Sequence, residues 1–284
     1  MPEQKQERDY DNIIAKHYEK VAQQEGLGST STMADIITRK KETQAIFDFV
    51  DNSMRRLKSE DESGSIIMMD VGCGNGYTLE VLANKYPEET FIGVEKTNEL
   101  RKLAVSRFEH KSNVSIIEGD IRDDNFSKGV VADILICQRV IINLLDVDDQ
   151  KKAFNNIADI ARKPDKQRPG GTLLFLESFS SPLQRLNEAR KEFDLSEIEP
   201  APHNLYLPDD FFCTPELREF TTDGCILLPN FLSTHYFITR VLHPIFTKNK
   251  PFKRNSEFVN FFTHALNENA GDYSPLKLYM FQRT

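Results

Sequence analysis

The heptapeptide Asp70-Val71-Gly72-Cys73-Gly74-Asn75-Gly76 decides the fold of this 284-residue chain. It closes the largely apolar run 66–71, which is typical of a strand buried on both faces, and precedes a helical pattern of apolar residues. Glycines let the backbone turn sharply and let a ligand approach the main chain closely. The loop therefore predicts a ligand site at the carboxyl end of a sheet, where open α/β folds bind their ligands.

Strand and helix patterns alternate after this loop. The apolar runs that predict further strands lie at 91–94, 114–117, 130–137, 173–176, 226–228 and 276–281. Helical patterns separate several of them, at about 99–108, 149–162 and 208–220. Because such alternation is typical of βαβ units, the sequence predicts an α/β fold with a doubly wound, mostly parallel, seven-stranded sheet.

Two acidic residues follow the second and third predicted strands. Glu95, with Lys96 after it, lies roughly 20 residues beyond the glycine loop, and its carboxylate can accept hydrogen bonds from both hydroxyls of a ribose. Asp120 can accept from the amine of an adenine, whose ring face Ile121 can cover. Each acid alone would also fit a solvated strand end or a helix cap, but the three strand ends together predict an adenosine site.

The spacing of the glycines distinguishes between the classes of cofactor that such a loop can bind. The loop reads GxGxG, with Tyr77 where the dinucleotide pattern GxGxxG has its third glycine, and no Gly-Lys-Ser/Thr follows as in a P-loop. This spacing disfavours a nicotinamide oxidoreductase. Taken alone, the loop would also fit an ordinary glycine turn between strand and helix.

These motifs resemble those of the class I S-adenosylmethionine-dependent methyltransferases over residues 66–178. The resemblance implies a Rossmann-like methyltransferase fold and S-adenosylmethionine as cofactor. It implies that the cofactor-binding residues are Asp70, Gly72, Cys73, Gly74, Gly76, Glu95, Lys96, Asp120, Ile121, Gln138, Arg139, Arg39 and Tyr18. Arg39 is expected at the cofactor carboxylate. Arg139 would either clamp a carboxylate or pair structurally with Asp146 or Asp148.

Residues outside the alternating pattern are predicted to cover the active site. Residues 9 to about 57 have an amphipathic helical pattern that is broken at 26–29. We therefore divide the chain into an N-terminal helical cap, 1–60, and a Rossmann-like methyltransferase domain, 61–284. Two further cap insertions are expected in that domain, at about 180–207 and 233–273.

The expected reaction is methyl transfer to an oxygen or nitrogen of a small molecule. A protein or RNA methyltransferase and a non-catalytic S-adenosylmethionine-binding protein are the alternatives. A general base would serve an oxygen acceptor, and the candidates are His203, His235 and His17. We expect Glu177, at the end of the fifth strand, to point toward the same cleft.

The composition of the chain limits the kinds of partner that it is expected to bind. The net charge is −8 and no long basic block occurs, which disfavours nucleic acid as a partner. No apolar run is long enough for a membrane span, and the N-terminus lacks the apolar stretch of a secretory signal. The four cysteines form no CxxC pair or zinc pattern, so we expect no metal site and a cytoplasmic protein with reduced thiols. The oligomeric state is left open, with a homodimer as one alternative.

Overall fold

The computed structural model describes residues 8–28, 35–60, 65–220, 229–247, 255–266 and 268–284. The strands are β1 (Ile67–Val71), β2 (Thr90–Val94), β3 (Val114–Ile117), β4 (Ile134–Gln138), β5 (Thr172–Ser178), β6 (Leu217–Glu219) and β7 (Leu276–Arg283). The helices are α1 (Asp11–Glu25), α2 (Ile36–Glu60), α3 (Tyr77–Lys85), α4 (Asn98–Arg107), α5 (Val147–Asp159), α6 (Ser180–Lys191), α7 (Ser233–Phe237), α8 (His243–Thr247) and α9 (Glu257–Ala265). A 3₁₀ turn, Ile141–Asn143, follows β4, and a π-helical turn, Ile238–Leu242, joins α7 to α8.

One seven-stranded sheet organises the fold, in the order β3-β2-β1-β4-β5-β7-β6. The pairs among β1 to β5 are parallel, and β7 runs antiparallel to both β5 and β6. The predicted α/β fold with a mostly parallel, seven-stranded sheet is therefore confirmed. The strand order reverses between β1 and β4, and open α/β sheets bind ligands at such a switch point.

Both faces of the sheet are covered, which explains the continuously apolar strands. In β5, Leu174 joins the core cluster packed against α2 and α3, while Leu173 and Phe175 join the cluster packed against α5. The same alternation places Met68 and Met69 of β1 in opposite clusters. Because α2 packs on the sheet through Phe49 and Val50, it belongs to the core layer as well as to the predicted cap.

The region after α6 differs from the sequence prediction. The prediction of a helix at 208–220 is wrong, because this stretch consists of turns followed by β6. β6 is a three-residue edge strand held to β7. The sixth strand predicted at 226–228 lies outside the described residues. The predicted cap insertions contain α6 and α7 to α9, and the division at residue 60 stays a prediction.

Two features are absent from the described part of the chain. None of its helices is long and apolar enough to cross a membrane. It holds no group of three or more His, Cys, Asp or Glu side chains arranged to bind a metal ion.

Candidate active site

A cavity of about 630 Å³ opens at the carboxyl ends of β1, β2 and β4. α1 and the loop residues His203 and Asn204 cover it. Twelve of the predicted cofactor residues line this cavity, namely Tyr18, Arg39, Asp70, Gly72, Cys73, Gly74, Glu95, Lys96, Asp120, Ile121, Gln138 and Arg139. The fold thus brings together side chains that are widely separated in the sequence.

The glycine loop turns through three left-handed residues, Gly72, Gly74 and Gly76, with φ of 74°, 57° and 81°. A Cβ on Gly74 would meet no protein atom within 4 Å. Gly76 differs, because it is absent from the cavity lining and its Cβ would lie 2.7 Å from the Phe108 ring. We therefore correct the cofactor contact predicted for Gly76: it lets α3 approach α4.

Glu95 is fixed by the main chain of the glycine loop and of its own strand end. One carboxylate oxygen accepts from the Gly74 N–H at 2.9 Å, and the other from the Thr97 N–H at 2.7 Å. Burial raises the pKa of Glu95, while these hydrogen bonds oppose the shift. Each carboxylate oxygen keeps a lone pair, so the group can still accept hydrogen bonds from vicinal hydroxyls.

Asp120 belongs to a charged network that the sequence did not indicate. Its carboxylate accepts from Arg122 Nη2 at 2.6 Å and pairs with Lys96 Nζ at 3.0 Å. Burial would raise the pKa of Asp120, but the hydrogen bonds from Arg122 and the Lys96 charge hold it well below its usual range. Asp11, in the first turn of α1, pairs with the same two cations, at 3.0 and 2.9 Å. The network therefore ties the N-terminal end of α1 to the end of β3.

The other end of α1 is tied to the glycine loop. Asn75 Nδ2 donates to the carbonyls of Gly26 and Gly28 at 2.9 and 3.0 Å. Arg107 Nη2 donates to the Leu27 carbonyl at 2.6 Å. The helix that covers the cavity is consequently fixed at both of its ends.

Arg39 reaches from α2 into the cavity and is only 8% exposed. Nη1 donates to Gln138 Oε1 at 3.2 Å and Nη2 to Thr78 Oγ1 at 3.3 Å, while Nε has no hydrogen-bond partner among the described residues. Burial raises the pKa of nearby Asp70 to about 7, with the Arg39 charge acting in the opposite direction and Glu95 adding to the rise. This end of the cavity therefore combines a buried guanidinium with a carboxyl group whose pKa is raised to about 7.

Arg139 pairs with neither Asp146 nor Asp148, so the structural pairing considered for it is wrong. Its Nη1 forms an ion pair with Glu42 of α2, whereas Asp146 caps α5 by accepting from backbone N–H groups. The backbone of Arg139 is left-handed, with φ of 56°. Such strain in a residue other than glycine is typical of functional sites.

Two of the three candidate bases lie at the cavity. The His17 and His203 rings stack, with centroids 3.6 Å apart, and both residues line the cavity. Burial lowers the pKa of His203 to about 4, and the neighbouring His17 adds to the effect. Burial also lowers the pKa of His17, aided by the Lys20 charge. Both imidazoles are therefore neutral at neutral pH.

His235 and Glu177 do not reach the cavity, and both predictions are corrected. His235 is fully buried and hydrogen-bonds Asp35 and Thr263, each at 3.0 Å, so it fixes the start of α2. Glu177 is also fully buried, and it accepts from the N–H groups of Val140 and Ile141 at 2.9 and 3.0 Å. It therefore holds the turn after β4 and does not face the cleft.

Several residues of the cavity were not among the predicted site residues. They include Tyr10, Asp11, Ile14, Val21 and Thr78. Ile14, Tyr18 and Val21 recur at helical spacing on α1, which was the available signal for a helix face over the cavity. The loop that holds His203 and Asn204 was indicated by the candidate base His203. It is held in place by hydrogen bonds of Leu205 to Ile142 and Gln150, at 2.7 and 2.8 Å.

Comparison with known proteins gives a family match over the central part of the chain. Residues 68–164 match the model of a methyltransferase domain. Over 57 residues, 20% of this chain and 19% of the relative, the chain is 42% identical to the ribosomal RNA small subunit methyltransferase H of Coprothermobacter proteolyticus. Over 123 residues, 43% of this chain and 40% of the relative, it is 26% identical to the malonyl-[acyl-carrier protein] O-methyltransferase of Priestia megaterium. The chain thus spans less than half the length of either relative.

A solved structure resembles nearly the whole chain. This structure is the magnesium protoporphyrin IX methyltransferase of Synechocystis PCC 6803, solved with bound SAH. The aligned region covers 97% of this chain and 96% of that protein. The two share 12% identity, with a TM-score of 0.49. A resemblance this distant adds nothing to the fold described above.

The sheet order, the ligand cavity at the switch point and the family match together define the class of protein. Over residues 68–164 the chain matches a methyltransferase domain, and its sheet order and its cavity are those expected of one that uses S-adenosylmethionine.

Proposed function

We propose that this protein transfers the methyl group of S-adenosylmethionine to an oxygen or nitrogen atom of a small-molecule acceptor. The observation that carries the proposal is the cover over the cavity. α1 is fixed at both ends, and His203 and Asn204 lie over the same space. A cavity of about 630 Å³ is in the range of small-molecule sites, whereas a macromolecular acceptor would need an open cleft.

The residues present fit the cofactor. Glu95 would accept from the ribose hydroxyls, and Ile121 would cover the adenine ring at the end of the cavity where Asp120 is paired with Arg122 and Lys96. The guanidinium of Arg39, which lines the cavity, can pair with the methionine carboxylate, the kind of acceptor that a guanidinium binds best. Gly74 leaves room for the ligand beside the main chain. Tyr18, Gln138 and Arg139 would border the methionine part.

S-adenosylmethionine supplies a methyl group that its sulfonium already makes electrophilic. The chain's own residues therefore need to orient the acceptor and exclude water, rather than to activate the donor. α1 performs the second task. We propose that His17 or His203 receives the acceptor proton, since both are neutral and neither repels a cationic cofactor.

Composition supports the choice of acceptor and of compartment. A net charge of −8 opposes binding to a nucleic-acid backbone. Cys73, Cys137 and Cys213 are free thiols, as expected in the cytoplasm, where we propose that the protein acts.

Labelled methyl transfer tests the proposal. The purified full chain is incubated with methyl-labelled S-adenosylmethionine and either the dialysable or the macromolecular fraction of a cell extract. We expect label in the dialysable fraction only. Label confined to protein or RNA would contradict the proposal, and the double variant His17→Ala/His203→Ala should transfer more slowly while binding the cofactor normally.

A further inference from the structure

Glu177 is a buried carboxylate that binds the main chain of the turn after β4. One of its oxygens accepts from the N–H groups of Val140 and Ile141 at 2.9 and 3.0 Å. The other oxygen accepts from the N–H of Ile142 at 3.3 Å. Successive N–H groups that converge on one anion form a nest, which is a common anion site of protein main chains. In this protein the anion in the nest is one of its own side chains.

The nest binds the ionised form of Glu177. Burial raises the pKa of Glu177 to about 7, whereas the three N–H groups and the Cys137 thiol act to lower it. All four of these groups donate, and the added hydrogen of a protonated carboxyl group would occupy one of the accepting positions. At pH 8 the carboxylate predominates, so a negative charge fills the nest.

The nest fixes a strained part of the cavity wall. Arg139 has a left-handed backbone, with φ of 56°, and such a conformation persists in a residue other than glycine only where the surroundings determine it. Its N–H donates to the Leu176 carbonyl at 2.8 Å, so the end of β5 binds four successive N–H groups, those of residues 139–142. We call residues 139–144 the β4 turn, and those that line the cavity are Arg139, Val140, Ile142, Asn143 and Leu144. A carboxylate behind the wall therefore sets its shape.

The β4 turn also supports the loop that holds a candidate base. The Leu205 N–H donates to the Ile142 carbonyl at 2.7 Å. His203 lies two residues before Leu205, lines the cavity and stacks on His17. A displacement of about 1 Å at a reacting group can slow an enzymatic step about 100-fold. A shift of the β4 turn would consequently reach the imidazole of His203 and slow proton transfer.

We propose that Glu177 is a positioning residue for methyl transfer, which fixes the β4 turn and, through that turn, holds His203 at the methyl acceptor. The inference rests on the proposed function. Glu177 lies outside the cavity lining, so it contacts neither the cofactor nor the acceptor. Glu95 and Arg39 come from other elements and keep their own hydrogen bonds, so loss of Glu177 should affect the rate of transfer more than the binding of S-adenosylmethionine.

The variant Glu177→Gln removes the charge and keeps the size of the side chain. Its amide oxygen can still accept from Val140 and Ile141, but its amide nitrogen then faces the Ile142 N–H, donor against donor. Glu89→Gln is the matched control. Glu89 is also a buried glutamate that accepts from a backbone N–H, that of Ile66 at 2.8 Å, and it lies outside the cavity lining.

Hydrogen–deuterium exchange of the free full chain at pH 8 tests the nest without any substrate. Glu177→Gln should speed exchange of the amides of Val140, Ile141 and Ile142 about tenfold or more, because hydrogen bonds to a charged group are weakened or lost. Glu89→Gln should leave these amides as they are in the wild type. Unchanged exchange in Glu177→Gln would show that the carboxylate does not fix the β4 turn, and would overturn the inference alone.

Labelling measures the effect on the reaction. The full chain is incubated at pH 8 with methyl-labelled S-adenosylmethionine and the dialysable fraction of a cell extract. At saturating extract, Glu177→Gln should label about tenfold more slowly, while its calorimetric affinity for S-adenosylmethionine stays within about threefold. Glu89→Gln should label at the wild-type rate. A purely structural role would lower the urea midpoint of unfolding and leave the labelling rate of the folded protein unchanged.

A second variant tests the link to His203 and serves if Glu177→Gln does not fold. Leu205→Pro removes the N–H that binds the Ile142 carbonyl and leaves Glu177 intact. It should slow labelling in the same way. Wild-type labelling in Leu205→Pro, or equal rates in Glu177→Gln and Glu89→Gln, would contradict the positioning role, as would a loss of S-adenosylmethionine affinity as large as the loss of rate. No labelled small molecule from the wild type would overturn the proposed function, and the inference with it.

Discussion

Replacing Gly74 by alanine tests whether the cavity holds the cofactor against the main chain. Gly74 lines the cavity, has φ of 57°, and a Cβ built there meets no protein atom within 4 Å. The added methyl group would therefore occupy cavity space rather than disturb the folded protein. Gly129→Ala is a matched control, because Gly129 has φ of 80°, also meets nothing within 4 Å, and lies outside the cavity lining.

The two substitutions should have equal effects on stability and unequal effects on binding. A left-handed alanine costs about 1–2 kcal/mol relative to glycine, so both variants should lose this much free energy of unfolding. Forcing one extra carbon into a filled site costs about 1–3 kcal/mol, which corresponds to a loss of S-adenosylmethionine affinity of about 5- to 150-fold. Only Gly74→Ala should show that loss.

Calorimetric titration with S-adenosylmethionine, together with urea unfolding of the free proteins, measures both quantities. If Gly74→Ala is folded and binds as tightly as the wild type, the cofactor does not lie against this loop. If Gly129→Ala loses the same affinity, backbone strain rather than occupied space explains the result, and the reasoning is wrong.

Three other predictions concern Arg39, Asp70 and His235. Arg39→Ala should weaken S-adenosylmethionine binding by about 1.5–3 kcal/mol in calorimetry, because a charged hydrogen-bond donor is removed. Unchanged affinity would show that Arg39 does not contact the cofactor carboxylate. Asp70, whose pKa is about 7, is protonated below that pH, and its ionised form attracts a sulfonium cation. Affinity should therefore rise as the pH increases toward about 8 and then level off, and a flat profile, or one that persists in Asp70→Asn, would contradict this. His235→Ala should lower the free energy of unfolding by about 1.5–3 kcal/mol, because it removes a buried hydrogen bond to Asp35, which keeps only its bond from the Thr38 N–H and the nearby Arg240, while exposed His110→Ala should change it by under about 0.5 kcal/mol; equal urea midpoints for the two would refute the structural role.

The sheet could be predicted because its inner strands carry a simple signal. β1, β4 and β5 are buried on both faces, so their apolar runs are continuous and easy to recognise. β6 carries no such signal, since Arg218 and Glu219 are exposed and the strand exists only through its pairing with β7. Local sequence could not distinguish it from a helix.

The meeting of the predicted cofactor residues at one cavity could be expected for a related reason. Parallel strands end at one edge of the sheet, so residues that follow successive strands, such as Glu95 and Asp120, must lie near one another. No comparable rule predicts which side chains of separate helices and strands contact each other. Arg139 meets Glu42 97 positions away, and Arg122 meets Asp11 111 positions away. The sequence gives no local sign of either pairing, nor of the packing that turns His235 away from the cavity.

A calorimetric titration of the wild-type chain with S-adenosylmethionine, with NAD titrated in parallel, tests the central claim most directly. The arrangement of Glu95, Asp120 and Arg39 around one cavity predicts a single S-adenosylmethionine site per chain and no measurable binding of NAD. Binding of NAD in preference to S-adenosylmethionine, or of neither, would contradict it.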